Sequence, residues 1–144
     1  MKLLKQENVQ IFDKADNWRD AVKMSVLPLE QGGYVESCYK DGIIENVEKL
    51  GPYIVIADHI ALPHARPEQG VIETQISITL FRQDVEFEGR EATARLFVTL
   101  AAKDNDKHLD ALSKISELLS DEDVVEHILE SPDVHILYQF FETI

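Results

Sequence analysis

The chain has 144 residues, 44% hydrophobic and 8% aromatic, enough apolar material for one compact core, so a single domain over residues 1–144 is expected. Fourteen Lys and Arg against 27 Asp and Glu leave a formal charge of −13, which repels a nucleic-acid backbone and an anionic leaflet alike and excludes both as favoured partners. Met1 to Asn8 lacks the apolar run of a signal peptide, no stretch is long enough to span a bilayer, and Cys38 has no second cysteine, so a cytoplasmic location is expected.

In chain order, Asp16 or Asn17 is placed to cap a first helix whose apolar positions Trp18, Ala21, Val22, Val26 and Leu29 follow helical spacing up to Gly32-Gly33. Pro28 should kink or tighten its last turn. A second helix reads from Ser37 to Leu50, with Tyr39, Ile43, Val47 and Leu50 on one face, Gly42 as a weak point and Gly51-Pro52 as its stop. Tyr53 to Ala57 then reads as a short strand, followed by a turn at Asp58 and extended structure from His59 to Leu62. Ile76, Ile78 and Leu80 alternate with polar residues in another strand, Val85 and Phe87 form a separate shorter one turning at Gly89, and Arg95 to Ala101 supplies a central strand. Asn105 or Asp106 caps a helix bearing Leu109, Leu112, Ile115 and Leu119. Two more helices follow, Val124 to Leu129 and Val134 to Phe141. Helices, then strands, then helices point to an α/β fold, a mixed β-sheet flanked by α-helices on both faces.

Chemistry is concentrated in two segments. In Ile60-Ala61-Leu62-Pro63-His64-Ala65-Arg66-Pro67, a histidine directly after proline at the end of an apolar strand is mounted on a rigid support with its ring reachable. Neutral imidazole offers a lone pair near neutral pH and suits phosphoryl transfer, and Arg66 can present a guanidinium fork to the transferring oxygens. Composition alone leaves commoner alternatives open: a hydrogen-bonded surface histidine, and an Arg66 ion pair with Glu68 or Glu73. The second segment, Thr99 to Leu109, brings His108 to a helix start, where a neutral ring would act as a hydrogen-bond donor. If its turn lies at the same sheet edge as the His64 loop, His108 is placed to orient His64 and steady phosphoryl oxygens.

Ile60-Ala61-Leu62-Pro63-His64-Ala65 reproduces an I-A-x-P-H-[GA] signature, and through it the sequence resembles the mannitol/fructose-type (type 2) EIIA family of the phosphoenolpyruvate-dependent sugar phosphotransferase system. Gly51-Pro52-Tyr53 and Pro63 to Val71 look most like its ascorbate-type branch, and the resemblance covers nearly the whole chain. It implies that His64 is phosphorylated by the carrier protein HPr, that His108 is the second active-site histidine, and that the phosphoryl group passes to a cysteine on an EIIB component. A membrane EIIC component is then an indirect partner, no metal or organic cofactor is implied, and a monomer or weak dimer fits the composition. Ala65 stands where glycine is common, and Asn46 and Val47 lie around the place where mannitol-type members carry an active-site arginine, a charge that Arg66 is expected to replace.

Two other readings remain at this point. One is a regulatory, nitrogen-type EIIA-like module acting by protein binding. The other is a small metal-dependent hydrolase using His64 and His108, against which the odd spacing of His59 and His64 argues. His59 is expected at a strand edge, His127 and His135 in structural or solvated positions, and Cys38 in half-buried packing without the loop of an EIIB cysteine.

Overall fold

A computed structural model describes residues 2–88, 92–104 and 109–142. In chain order the elements are β1 (Val9–Phe12), α1 (Trp18–Gln31), α2 (Tyr39–Leu50), β2 (Val55–Ala57), β3 (His59–Ala61), β4 (Gln75–Phe87), β5 (Ala92–Ala101), α3 (Leu109–Leu119), α4 (Glu122–Leu129) and α5 (Val134–Phe141). The strands form one five-stranded mixed sheet in the order β1-β4-β5-β3-β2, with β1 parallel to β4 and β3 parallel to β5. Trp18, Val22, Leu29, Tyr39 and Ile43 from α1 and α2 pack on one face with Phe81, Phe87 and Phe97. Ile115, Ile128, Leu137 and Phe141 from α3, α4 and α5 cover Ile78, Leu80, Leu96 and Val98 on the other. Among the described residues no helix is long and apolar enough to cross a membrane.

Local chemistry explains most of these boundaries. Asn17 caps α1 by accepting from the Asp20 N–H at 2.9 Å, and Asp121 and Asp133 cap α4 and α5 in the same way. Pro28 lies inside α1 and has no N–H to offer the Met24 carbonyl one turn earlier; Gln10 of β1 donates to that carbonyl at 2.7 Å instead. The proline therefore frees an acceptor that ties the edge strand to the helix.

Two expectations require correction. No element was anticipated over Val9–Phe12, which forms edge strand β1; its partner in β4 begins at Ile78, so only a long-range pairing stabilises so short a segment. The two strands expected over residues 76–80 and 85–87 are one strand, β4, interrupted by a bulge. Between Leu80 and Val85 the partner on β5 moves only from Leu96 to Ala94. Through the bulge β4 keeps its alternation, Ile76, Ile78 and Leu80 facing α3–α5 and Phe81, Val85 and Phe87 facing α1 and α2; the side changes on β5 instead, where Ala94 packs with α1 and α2 but Leu96 with α3–α5. Arg95 stabilises this irregularity, its Nε donating to the Phe81 carbonyl at 3.0 Å and its Nη2 to the Leu129 carbonyl at 3.2 Å. The turn expected at Gly89 and the cap expected at Asn105 or Asp106 lie outside the described residues.

Candidate functional site

Parallel neighbours β3 and β5 deliver their C-terminal ends to the same edge of the sheet. The loop carrying His64 leaves from one and residues 102–104 from the other, and the two meet directly where Leu100 N–H donates to the Pro63 carbonyl at 3.0 Å. His108 lies outside the described residues.

His64 is half-buried. Its Nδ1 lies 2.6 Å from the Leu62 carbonyl oxygen. A carbonyl can only accept, so Nδ1 carries the hydrogen and donates; a neutral ring so held is the Nδ1–H tautomer, with its lone pair on Nε2 and no Nε2 hydrogen bond among the described residues. That assignment follows from the partner, because one nitrogen's hydrogen bond dictates the role of the other.

The peptide that follows is pinned from both ends. Tyr53 Oη donates to the His64 carbonyl at 2.5 Å, and the Ala65 N–H of that same peptide donates to Tyr39 Oη at 3.0 Å. Tyr39 Oη passes its own hydrogen to the Leu100 carbonyl at 2.7 Å, so the loop is tied through a buried phenol to the end of the central strand. Burial pushes the Tyr39 phenol up to about 12, with the Ala65 backbone bond opposing, and burial likewise raises Tyr53 against a hydrogen bond with Asn46. The Tyr53 ring meets the His64 ring edge-on, centroids 5.2 Å apart at 86°.

Arg66 is exposed, and among the described residues its guanidinium makes no ion pair; Glu73, one partner weighed for it, pairs with Lys103 at 3.7 Å. Its backbone is fixed instead. Gln69 Oε1 accepts from Arg66 N–H at 3.0 Å and from Asn46 Nδ2 at 3.0 Å, which joins the turn Pro67–Gln69 to α2. Gly42 makes room for that contact, since a Cβ there would stand 3.0 Å from Gln69 Nε2. The glycine that looked like a weak point of α2 is thus the place where the loop docks.

The other candidates lie elsewhere. His59 sits at the start of β3, with φ +68 and Nδ1 3.5 Å from Asp84 Oδ1, whereas His64 follows the end of that strand. His127 Nδ1 donates to the Asp123 carbonyl one turn earlier in α4, and His135 approaches Gln139 within α5. Cys38 is exposed, not half-buried as expected: it is the residue before α2, and its Sγ reaches the Gln69 carbonyl at 3.5 Å because Gly70 leaves the space open. Among the described residues no group of three or more His, Cys, Asp or Glu is arranged to hold a metal ion. A groove of about 410 Å³ runs between β2–β3 and α3, lined by Ile56, Ile60, Leu62, Val98, Leu112 and Ile115.

Tyr39, Tyr53, Asn46 and Gln69 were not singled out from sequence as site residues. Tyr39 carried a usable signal, because a tyrosine on the apolar face of a helix must find a partner for its hydroxyl. For Asn46 the only signal was its place near the arginine of mannitol-type members, and for Gln69 there was none, since their partners come from a different element.

Residues 2–144 match the family described as "Phosphoenolpyruvate-dependent sugar phosphotransferase system, EIIA 2". The chain is 33% identical over 123 residues to the ascorbate-specific PTS system EIIA component of Escherichia coli K12, covering 84% of this chain and 80% of the relative. The solution structure of the mannitol-specific cryptic phosphotransferase enzyme IIA CmtB from Escherichia coli superposes with a TM-score of 0.88 at 30% identity, covering 98% of this chain and 95% of that one. Enzyme IIAMtl, solved in complex with phosphorylated enzyme IIBMtl from Escherichia coli, superposes with a TM-score of 0.83 at 27% identity over 98% of each chain. The chain with the pinned His64 loop belongs to the EIIA 2 family of the phosphoenolpyruvate-dependent sugar phosphotransferase system.

Proposed function

We propose that this protein is a sugar-specific EIIA phosphocarrier of the cytoplasm that takes a phosphoryl group from phospho-HPr onto Nε2 of His64 and gives it to the cysteine of a cognate EIIB. The observation that carries this reading is the 2.6 Å contact between His64 Nδ1 and the Leu62 carbonyl, which commits the hydrogen to one nitrogen and leaves the other nucleophilic. In the first step the Nε2 lone pair forms an N–P bond while the donor's N–P bond breaks and its electron pair returns to the donor ring. The Nδ1 hydrogen stays in place throughout, so the phosphorylated ring is cationic and a neutral imidazole is the group that departs next. In the second step a thiolate forms an S–P bond, the His64 N–P bond breaks, and the starting tautomer is restored.

Arg66 supplies charge to the equatorial oxygens, supported by its exposed position and by a backbone fixed through Gln69. His108 serves as a second donor; in sequence it directly precedes the first residue of α3. The apolar groove walled by Leu62 adjoins the loop and suits partners that bind transiently in turn. The EIIB assignment draws on the relative solved with a phosphorylated EIIB. The ascorbate-like branch rests on Gly51-Pro52-Tyr53 and the Pro63 to Val71 segment, together with the ascorbate-specific relative.

Labelling from phosphoenolpyruvate with purified enzyme I and HPr tests the reading. Acid-labile, base-stable label is expected on the wild type, absent from His64→Ala and acquired more slowly by His108→Ala and Arg66→Gln. Undiminished label on His64→Ala refutes the assignment.

A further inference from the structure

We infer that Tyr53 is a positioning residue for His64, selecting the ring's reactive tautomer through a hydroxyl bond to the histidine's own carbonyl and an edge contact to its imidazole. The inference rests on the phosphocarrier reading for its kinetic consequence, but not for its structural one.

Whether His64 Nδ1 can reach the Leu62 carbonyl depends on two things: where the backbone places the Cβ, and how the ring is rotated about it. Tyr53 acts on both. Its hydroxyl holds the His64 carbonyl at 2.5 Å, and the opposite end of that peptide is already fixed by Tyr39, so the peptide plane has no freedom left. Its ring, centroid 5.2 Å from the imidazole centroid and nearly perpendicular to it, stands against one side of the imidazole and limits its rotation. Without the hydroxyl the peptide can rotate, the Nδ1–H bond lengthens, and the Nε2–H tautomer, which has no lone pair at Nε2, competes.

Tyr53 is itself held. Asn46 of α2 lies beside its hydroxyl, opposing the rise that burial causes in the phenol, and pairs with Gln69 at 3.0 Å, and Gln69 accepts from Arg66 N–H. The turn Gly51-Pro52-Tyr53 adds backbone rigidity, with Tyr53 N–H bonded to the Gly51 carbonyl at 2.7 Å and Gly51 at φ +84. A series of side chains, Tyr53, Asn46 and Gln69, thus lies between the His64 carbonyl and the backbone of Arg66. It connects the histidine to the neighbouring cation without any charged member between them.

The test uses Tyr53→Phe, which keeps the ring edge and deletes the hydroxyl, with two readouts. Long-range ¹H–¹⁵N spectra of the unphosphorylated protein at pH 8 report the His64 tautomer. Wild type is expected to show a hydrogen-bearing Nδ1 and a lone-pair Nε2, and Tyr53→Phe a shift toward a mixture. Phosphoryl uptake from phospho-HPr should fall roughly five- to tenfold in kcat, with KM within about twofold, because loss of one hydrogen bond is felt at the reacting nitrogen and not at the docking surface. Wild-type ring signals in folded Tyr53→Phe overturn the inference, and so does a shifted ring with unchanged kcat. Should Tyr53→Phe not fold, Asn46→Ala, which does not touch His64, should move both readouts the same way by a smaller amount, and wild-type values there overturn it equally. If the wild type accepts no phosphoryl group, the functional reading fails while the ring spectra still decide the positioning.

Discussion

Strand β3 has a histidine at each end, and the two are built differently. His59 opens the strand with its side chain 46% exposed, in the left-handed region at φ +68, its ring 3.5 Å from the Asp84 carboxylate across the bulge of β4. His64 follows the other end with a carbonyl fixing one ring nitrogen and two phenols fixing the next peptide. At 3.5 Å and on an exposed ring, the carboxylate contact is too long to hold either tautomer or rotamer. A Leu62 carbonyl that can only accept, beside a histidine whose own following peptide is pinned, leaves one nitrogen and one direction. Under the proposed phosphocarrier reading, the contrast assigns readiness for nucleophilic attack to the immobilised loop more than to a charged neighbour.

The strongest way to break that comparison is to exchange the fates of the two histidines. His64→Gln should lose phosphoryl uptake altogether, whereas His59→Gly should keep uptake within about twofold and be equally or slightly more stable, because glycine carries no penalty at φ +68. Single-turnover labelling and urea denaturation of the two variants check both halves.

A smaller effect is expected at Tyr39. Replacing it with Phe strands the Ala65 N–H and the Leu100 carbonyl and should cost on the order of 2 kcal/mol. It should also change the alkaline limb of stability. The folded phenol, raised to about 12, binds its proton more tightly than an unfolded tyrosine near 10. Its contribution is therefore complete below pH 10 and is lost as pH rises through 12, about 2–3 kcal/mol in all. Denaturation midpoints between pH 8 and pH 12 should fall less steeply in Tyr39→Phe, the residual slope including the similarly raised Tyr53.

The smallest effect sharpens the role of the loop's dock. Gly42→Ala gains helix propensity of about 1 kcal/mol, but its Cβ meets the Gln69 amide at 3.0 Å. Stability should stay within about 1 kcal/mol of wild type while phosphoryl uptake slows severalfold as Gln69 is displaced. Equal uptake in the two proteins would show that Gln69 does not govern the loop.

Much of the site's outline was readable before any coordinates, for reasons particular to the residues. Pro63 before His64 and the Pro/Gly turn after it describe a rigid, exposed mount in purely local terms, and the signature from Ile60 to Ala65 pointed to the family that residues 2–144 match. The cap of α1 was legible in the same way, because Asn17 bonds to an amide three residues away. Strand β1 and the bulge in β4 were not. Val9–Phe12 is a strand only because Ile78 and its neighbours lie alongside, and the bulge after Leu80 is set by how β4 pairs with β5.

The sequence by itself determined the periodic helices, the cap of the first, the central apolar strand and the placing of a histidine at a strand's end, since each depends on interactions within a few residues. Only the tertiary structure decided which nitrogen of His64 is free, because the residues that hold its loop, Tyr39, Asn46, Tyr53 and Gln69, come from a helix and two turns that touch only when the sheet is assembled. A hydroxyl or an amide has no directional preference written in its neighbours along the chain. It acquires one when a partner from elsewhere in the fold is brought within 3 Å.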